Sequence, residues 1–156
     1  MKKVFLSCAM ILALNACTSQ HSQMVDLVTP KEPAEGFVQV LAEKDYYIDS
    51  ASIWIDNQSP EVINFDMVTN LSKGQLGFKD HPNEIGKSIR SHKNVNCKTN
   101  TYSRTGEMVY SRFWGEGVEL KRHRQLYKTT DIIEGSSLDT VAKVMCANFY
   151  RPQAPK

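Results

Sequence analysis

Hydrophobic and polar residues alternate with a period of two through most of the chain beyond Gly36. In the clearest stretch, Ile63, Phe65 and Met67 share one side of a strand, and the polar residues between them share the other. A strand of this kind packs one face on a core and leaves the other in water. The same pattern predicts further strands at 37–41, 46–49, 52–56, 88–97 and 102–114, the last with a bulge or turn at 105–106.

Glycine and proline mark the predicted interruptions between these strands. Lys73-Gly74 is expected to end the strand that contains Phe65, and residues 57–60 have the composition of a turn. Residues 77–86 are predicted to form a loop, because they include two glycines and Pro82.

A single helix is predicted late in the chain. Ser136 and Asp139 are spaced as in a capping box, with aspartate in place of the usual glutamate or glutamine. One apolar face follows at i, i+3, i+4 and i+7, formed by Leu138, Val141, Ala142 and Met145. Strands followed by one helix predict an α+β fold that is mainly β: an antiparallel sheet of about six strands with one C-terminal helix packed on it.

The first sixteen residues have the pattern of a signal peptide. A positively charged start precedes an apolar run at 4–14, which is shorter than the roughly 20 residues that span a bilayer. The run leads into Leu-Asn-Ala-Cys at 14–17, the pattern at which bacterial lipoproteins are cleaved. We therefore expect Cys17 to carry the acyl chains of a lipid anchor, palmitate among them. The alternative is an ordinary secretory peptide with a chance cysteine.

Cleavage before Cys17 divides the chain into a signal peptide at 1–16, a lipidated cysteine with a tether at 17–35, one domain at 36–150 and a tail at 151–156. The tether is polar, contains two prolines and lacks sustained periodicity; an extra strand at 24–28 is the alternative. No aspartate follows Cys17, so the usual signal for inner-membrane retention is missing. We expect a location at the outer membrane, with the domain exposed at the cell surface.

Charge places the domain among neutral globular proteins. The 156-residue chain is 41% hydrophobic and 23% charged, and its 19 basic residues exceed its 17 acidic residues by two. Lys2 and Lys3 supply that excess, so the chain without its signal peptide has no net charge. A neutral chain has no global field with which to bind nucleic acid, so charged recognition must come from a local patch.

Two of the four cysteines remain in the domain once Cys8 is removed with the signal peptide and Cys17 is acylated. Cys97 and Cys146 then lie in a compartment that permits disulfides, and we expect them to form one. A metal pair or a reactive thiol is the alternative, although no C-x-x-C motif is present and no histidine lies within three residues of either cysteine.

Candidate catalytic groups are scarce. The histidines form no metal-binding or nucleophile motif and are expected to be solvated; they are His21, His81, His92 and His123. A haem or metal role for the last three stays open. Gly115-Glu116-Gly117 lacks the third glycine of a dinucleotide fingerprint. We expect a protein that is not an enzyme, with no cofactor and no metal site.

Two clusters of basic residues could form local ligand-binding patches. Patches of this kind bind acidic protein segments or anionic headgroups. The alternative is a solvated loop and an exposed strand edge, which lysines commonly protect. Because side chains alternate along a strand, the two lysines of the first cluster are expected on the opposite face from its arginine. The clusters are Lys87, Arg90 and Lys93 on a predicted strand, and Lys121, Arg122 and Arg124 in a predicted loop.

Several distinctive runs occur in order along the domain. The longest is Tyr46-Tyr47-Ile48-Asp49-Ser50-Ala51-Ser52-Ile53-Trp54-Ile55-Asp56-Asn57-Gln58. The others are Phe65-Asp66, Val68, Asn70-Leu71, Lys73-Gly74, Ser88, Arg90, Asn96-Cys97, Phe113-Trp114-Gly115-Glu116-Gly117 and Cys146-Ala147-Asn148. In this order they resemble the surface-adhesin protein E family of Gram-negative lipoproteins, over roughly residues 36–150.

The resemblance implies an antiparallel sheet with a packed helix, a disulfide, an outer-membrane lipid anchor and a homodimer. It also implies binding to epithelial cells or to host matrix or serum proteins, vitronectin-like or laminin-like. The family's adhesive member has a basic pair after the proline that precedes the Cys97 strand, whereas here Asn83-Glu84 follow Pro82. We expect a lipid-anchored adhesin that uses surface patches and no nucleic acid. The alternative is a structural lipoprotein of the periplasmic face with no host ligand.

Overall fold

The computed structural model describes residues 23–40, 45–123 and 128–151. Within these residues no helix is both long enough and apolar enough to cross a bilayer. The elements are β1 (Gln23–Asp26), β2 (Phe37–Gln39), β3 (Tyr46–Ile55), β4 (Val62–Asn70), β5 (Lys73–Phe78), β6 (His81–Ile85), β7 (Ser88–Asn96), β8 (Thr101–Tyr110), a 3₁₀ turn (Phe113–Gly115), β9 (Glu119–His123), β10 (Lys128–Asp131) and α1 (Ser137–Phe149).

Seven strands form the main sheet, and all their pairings are antiparallel. The order is β10-β8-β7-β4-β3-β2, and β9 pairs with β8 along the same edge as β10. β4 and β7 pair without interruption, from Val62 opposite Asn96 to Asn70 opposite Ser88. The predicted α+β fold with one C-terminal helix is confirmed, with seven strands in this sheet where about six were predicted.

Three register shifts interrupt the regular pairing of the main sheet: one in β3, one between β7 and β8, and one between Val109 and Tyr110, where β8 pairs with β9. β3 is one strand rather than the two predicted. A shift in register between Asp49 and Trp54 accommodates the residues between them without ending the strand. In β8, Gly106 pairs with His92 and Arg104 pairs with Lys93, which leaves Thr105 as the extra residue. The second bulge lies where the sequence predicted a bulge or turn. Bulges of this kind bend a strand and increase its twist.

The core lies between the main sheet and α1. Ile63, Phe65 and Val95 on the two central strands are fully buried, and they pack against Val141 and Met145 of the helix. Each buried side chain of this size contributes roughly 1.5–3 kcal/mol to stability. This layer therefore holds the helix on one face of the sheet and leaves the opposite face without it.

α1 begins where the sequence predicts, because Ser136 caps it. The Ser136 hydroxyl accepts a hydrogen bond from the backbone N–H of Asp139. The Asp139 carboxylate accepts from the backbone N–H of Gly135 and from Lys143 Nζ, both at 2.8 Å. The Ser136 side chain thus caps the helix as predicted, whereas Asp139 bonds to Gly135, the residue before the cap, and the Ser136 N–H donates to the Ile133 carbonyl oxygen instead of closing a reciprocal capping box.

A disulfide joins α1 to the end of β7. Cys97 follows β7 directly, Cys146 lies in the last turns of α1, and their Cα atoms are 5.6 Å apart. The predicted bond is confirmed, and it closes a loop across 49 positions of sequence. In the chain-entropy account, a loop of this length stabilises the fold by about 4 kcal/mol.

A second, three-stranded sheet corrects two sequence predictions. Its order is β1-β5-β6, with antiparallel pairing throughout. β1 lies in the segment predicted as a tether, so the alternative of an extra N-terminal strand is what the structure contains. Lys73-Gly74 was expected to end a strand, but Lys73 begins β5, and Val25 pairs with Gly74.

The predicted loop at 77–86 contains β6. Pro82 is tolerated there because β6 is an edge strand of this sheet, where a missing backbone N–H need not break a ladder. Asn83 and Glu84, which follow Pro82, are both exposed on this strand.

Candidate functional site

The face of the main sheet opposite α1 carries charged and aromatic side chains. Side chains alternate along β4 and β7, so Asp66 and His92 lie opposite each other on the side away from the core. We call this side the polar face and define it by Asp49, Trp54, Asp66, Arg90 and His92.

Arg90 lies at the centre of the polar face and bridges two carboxylates. Its Nη1 atom donates to Asp49 Oδ2 at 2.7 Å and to Asp66 Oδ2 at 2.9 Å, and Nη2 donates to the Trp114 carbonyl oxygen at 3.3 Å. The side chains of Arg90, Asp49 and Asp66 are only 17%, 16% and 19% exposed. The guanidinium therefore ties β3, β4 and β7 together through partly buried ion pairs.

The charges of this network reinforce one another. Burial acts to raise the pKa of the Asp66 carboxyl, but hydrogen bonds from His92 and Arg90 outweigh it and lower the pKa below its usual value. Burial acts to lower the pKa of Arg90, but hydrogen bonds to Asp49 and Asp66 outweigh it and raise the pKa. Both shifts favour the charged forms, so the ion pairs persist at neutral pH.

His92 and Trp54 extend the network to an exposed aromatic ring. His92 Nδ1 lies 2.9 Å from Asp66 Oδ1. The Trp54 indole stacks on the imidazole, with ring centroids 6.5 Å apart and planes 15° from parallel. Trp54 is 50% exposed. A large, positioned aromatic side chain is thus presented to solvent beside fixed charges.

The 3₁₀ turn lies against the other end of the polar face. The backbone N–H of Trp114 donates to Asn70 Oδ1, and that of Gly115 donates to Ser88 Oγ, both at 2.9 Å. The Ser88 hydroxyl donates to the Arg112 carbonyl oxygen at 2.6 Å. Asn70 and Ser88 are buried and opposite each other on β4 and β7, so the two central strands position the backbone of the turn.

The Trp114 ring packs against Phe37 and Tyr47, with centroid distances of 5.0 and 4.7 Å. Trp114 and Gly115 both have left-handed backbone angles, with φ of 68° and 67°. A Cβ atom at Gly115 would lie 2.6 Å from Arg90 Nε. Position 115 therefore needs glycine for its backbone angle and for the close approach to Arg90.

The first basic cluster does not form one patch. Lys87 lies just before β7, Arg90 belongs to the polar face, and Lys93 lies on the α1 side with Nζ 3.1 Å from Met67 Sδ. The prediction that Lys93 and Arg90 occupy opposite faces is confirmed. β7 is an interior strand between β4 and β8, so the strand-edge alternative is wrong for this cluster.

The second basic cluster lies on a strand where the sequence predicted a loop. Lys121 and Arg122 are exposed on β9, because this segment pairs with β8. Arg122 stands in the same cross-strand row as Arg90, with Met108 between them. Its guanidinium forms a two-bond ion pair with Glu119. Arg124 lies outside the described residues, as do His21 and the predicted lipidation site Cys17.

The remaining histidines are not gathered into a metal site. His81 lies on β6 and His123 on β9. In the described part of the chain, no three side chains of the metal-binding types come together.

Alternation alone did not single out the polar face as a site. It placed Asp66 on the wet side of one strand and Arg90 on the wet side of another, but the pairing of those strands was unknown. A usable signal was present, because Asp49, Trp54, Asp66 and Arg90 all belong to the runs that carry the family resemblance. The structure brings these four residues together.

Comparison with known proteins identifies the family. The family model for Surface-adhesin protein E matches residues 37–147. Two curated relatives named Surface-adhesin protein E, from Haemophilus influenzae strains NTHi 3655 and KW20 / Rd, are each 32% identical over 153 residues. The match covers 96% of this chain and 94% of each relative.

Solved structures of Haemophilus influenzae protein E share the fold. The crystal structure from the non-typeable organism has a TM-score of 0.75 at 33% identity, over 82% of this chain and 86% of that one. Another has a TM-score of 0.74 at 32% identity, over 84% and 98% respectively. The chain belongs to the surface-adhesin protein E family, whose members are surface adhesins rather than enzymes.

Proposed function

We propose that this protein is a lipid-anchored outer-membrane adhesin, displayed at the cell surface, that binds host extracellular-matrix or serum proteins or epithelial cells. The expected ligands are of the vitronectin or laminin type. The observation that carries the proposal is the half-exposed Trp54 beside the Arg90 ion pairs. Tryptophan and arginine are enriched among the residues that dominate binding energy at protein interfaces.

The polar face is preorganised for recognition. Asp49 and Asp66 are held by Arg90, and His92 is held between Asp66 and the Trp54 ring. Side chains fixed before a partner arrives lose less conformational entropy on binding, so more of the contact energy appears as affinity. This arrangement favours a binding surface over a solvated polar face.

The basic element of this surface comes from β9 rather than β7. Arg122 shares a row with Arg90, and its side chain is 53% exposed. Lys93 is directed toward α1 and cannot contribute to the same contact. Because Glu119 already pairs with Arg122, an acidic host segment that binds this edge would have to replace the Glu119 carboxylate.

The test measures binding of the purified full chain to immobilised vitronectin and laminin. Trp54→Ala should weaken binding about tenfold or more, with an unchanged melting temperature because the ring is half exposed. Ile133→Ala removes another exposed apolar side chain, 77% exposed and close to α1, and should bind like the wild type. Undiminished binding by Trp54→Ala, or no binding by the wild type, would contradict this use of the polar face. If the wild type binds neither ligand, the structural-lipoprotein alternative would lead.

A second variant tests the basic edge. Replacing Lys121, Arg122 and Arg124 together by alanine should weaken binding most at low salt, because exposed charges are screened beyond roughly 8 Å at physiological ionic strength. An unchanged salt dependence would remove these residues from the proposed surface.

The anchor and its orientation are tested on cells. Cys17→Ser should abolish incorporation of labelled palmitate and release the protein from the outer-membrane fraction, because only a thiol there accepts the lipid. External protease should cleave the wild type on intact cells. Continued labelling of Cys17→Ser would contradict the anchor, and protection from protease would contradict surface display.

We also propose a homodimer, and the open edge of β2 is the best place for it. β2 ends the described main sheet, and Val38 on it is 58% exposed. An open strand edge can pair with a second copy. Sedimentation should show a dimer for the wild type and a monomer for Val38→Lys, with Ile133→Lys as the matched control. A monomeric wild type would contradict the dimer.

A further inference from the structure

A cavity of about 240 Å³ lies on the α1 side of the main sheet, on the face opposite the proposed adhesive surface. β4, β7, β8 and the first turn of α1 contribute to its walls. We call it the Lys93 pocket. Its lining includes Val40, Tyr46, Met67, Lys93, Tyr102 and Leu138.

Among the described residues that line the pocket, Lys93 is the single lysine or arginine, and the described contacts of its ammonium are weak. An ammonium has three donors. Among the described residues, Lys93 Nζ contacts Met67 Sδ at 3.1 Å and lies 5.5 Å from the centre of the Tyr102 ring. A thioether is a weak acceptor, and no described carboxylate forms an ion pair with this amine.

The surroundings of Lys93 penalise its charged form. Burial lowers the pKa of its ammonium to about 8, the charge of Arg104 acts in the same direction, and that of Glu107 opposes it. An acceptor anion brought to Nζ would relieve this penalty, because hydrogen bonds between charged groups are about twice as strong as neutral ones.

The rest of the pocket selects for an apolar ligand body. Two aromatic rings and four aliphatic or thioether side chains make up most of the described wall. Sites for drug-sized molecules are typically about 300–1,000 Å³, so a cavity of 240 Å³ suits a smaller molecule. A doubly charged phosphate would bury one charge that a single lysine leaves unpaired. A monocarboxylate matches the charge, and the positive end of the α1 dipole lies at the same pocket through Ser137.

We infer that the Lys93 pocket binds a small apolar monocarboxylic acid, with the carboxylate on Lys93 Nζ and the apolar body against Tyr46, Tyr102 and Leu138. The inference does not depend on adhesion, because it concerns the other face of the sheet. The ligand could be aliphatic or aromatic, and both share the required chemistry.

The experiment follows the methyl group of Met67 by NMR in the full chain labelled at its methionine methyls, with Met67→Leu for assignment. Octanoate and 4-methylbenzoate are titrated in turn, each against its neutral amide. Both the position of the signal and its saturation are recorded. At least one acid should bind about tenfold more tightly than its amide. The better acid identifies the ligand as aliphatic or aromatic.

Lys93→Met keeps the length and apolar character of the side chain and should lose the preference for the acid while still binding the amide. Lys128→Met, on the exposed strand β10, should keep the preference. Three results would overturn the inference: no saturable shift with either acid, equal affinity for acid and amide in the wild type, or a preference for the acid that survives in Lys93→Met.

Discussion

The guanidinium of Arg90 lies directly against the backbone of Gly115, so closely that a methyl group at position 115 would come within 2.6 Å of Arg90 Nε. Arg90 also donates to the carbonyl oxygen of Trp114. The 3₁₀ turn and the ion pairs of the polar face therefore share one side chain. A substitution in the 3₁₀ turn should therefore disturb the ion pairs, and a substitution in the ion pairs should disturb the turn.

Gly115→Ala should destabilise the protein more than Gly77→Ala does. Both glycines have left-handed backbone angles, with φ of 67° and 89°, so alanine costs roughly 1–2 kcal/mol at either position. At Gly77 nothing lies within 4 Å of the added carbon, whereas at Gly115 Arg90 must move. We expect a further loss of about 1–3 kcal/mol at Gly115, measured by urea unfolding. Equal losses would show that the contact with Arg90 is not tight.

Asp66→Asn should lower the free energy of unfolding at neutral pH by roughly 1.5–3 kcal/mol, because Arg90 and His92 lose a charged acceptor. The folded pKa of Asp66 lies below the usual 3.8. Its contribution is therefore complete above that value and is lost as the pH falls through the folded pKa. The difference in free energy of unfolding between wild type and Asp66→Asn should therefore decrease at acidic pH, as measured by denaturant unfolding.

Asp131→Asn, on the exposed strand β10, is the matched control for Asp66→Asn. It should change stability by less than about 0.5 kcal/mol at any pH. If the difference in free energy of unfolding between Asp66→Asn and wild type stays constant into strong acid, the ionised network is contradicted.

Lys93→Met should stabilise the protein at neutral pH. The folded pKa of Lys93, about 8, lies below the usual 10.5, so between these values the unfolded chain binds more protons and stability rises with pH. The penalty of charged Lys93 is complete below the folded value, where it can reach roughly 3 kcal/mol. The advantage of Lys93→Met should shrink between about pH 8 and pH 10 in urea unfolding. Lys128→Met should show no such trend.

Replacing Cys97 and Cys146 together by alanine should lower the free energy of unfolding by about 2–5 kcal/mol. The bond fastens α1 to the sheet, while Trp54 and Arg90 belong to the polar face on the other side. Below its melting temperature, the variant should therefore bind vitronectin or laminin as strongly as the wild type. Lost binding by a folded variant would mean that the two faces are coupled.

Much of the fold follows from signals that are local in sequence. Alternation predicted β4 and β7, and the Ser136 cap predicted the start of α1, because both patterns act within a few residues. The second sheet escaped prediction because its strands are short and Pro82 lies in one of them. Whether such a segment becomes a strand depends on a partner far along the chain.

The polar face was only half predictable for the same reason. Alternation predicted that Asp66 and Arg90 each lie on the solvent-facing side of a strand. Their contact, however, depends on the register between β4 and β7. Lys93 was grouped with Arg90 because charged residues are normally solvated. Its burial depends on the packing of α1 over β7, which no pattern near Lys93 in the sequence reveals.

The short strand β1 has a mechanical consequence if the chain is anchored at Cys17. When the main sheet binds a host molecule and the lipid is inserted in the membrane, a pulling force acts on the protein between these two points. Of the described elements, β1 is nearest the anchor in sequence and takes up this force first. Four residues paired with β5 form a weak attachment, so β1 would peel away first. That release adds roughly 45 Å of extensible chain between residues 23 and 36 before tension reaches β2. The main sheet and its binding surface would therefore stay folded under the pulling force, while the segment between the anchor and β2 extends.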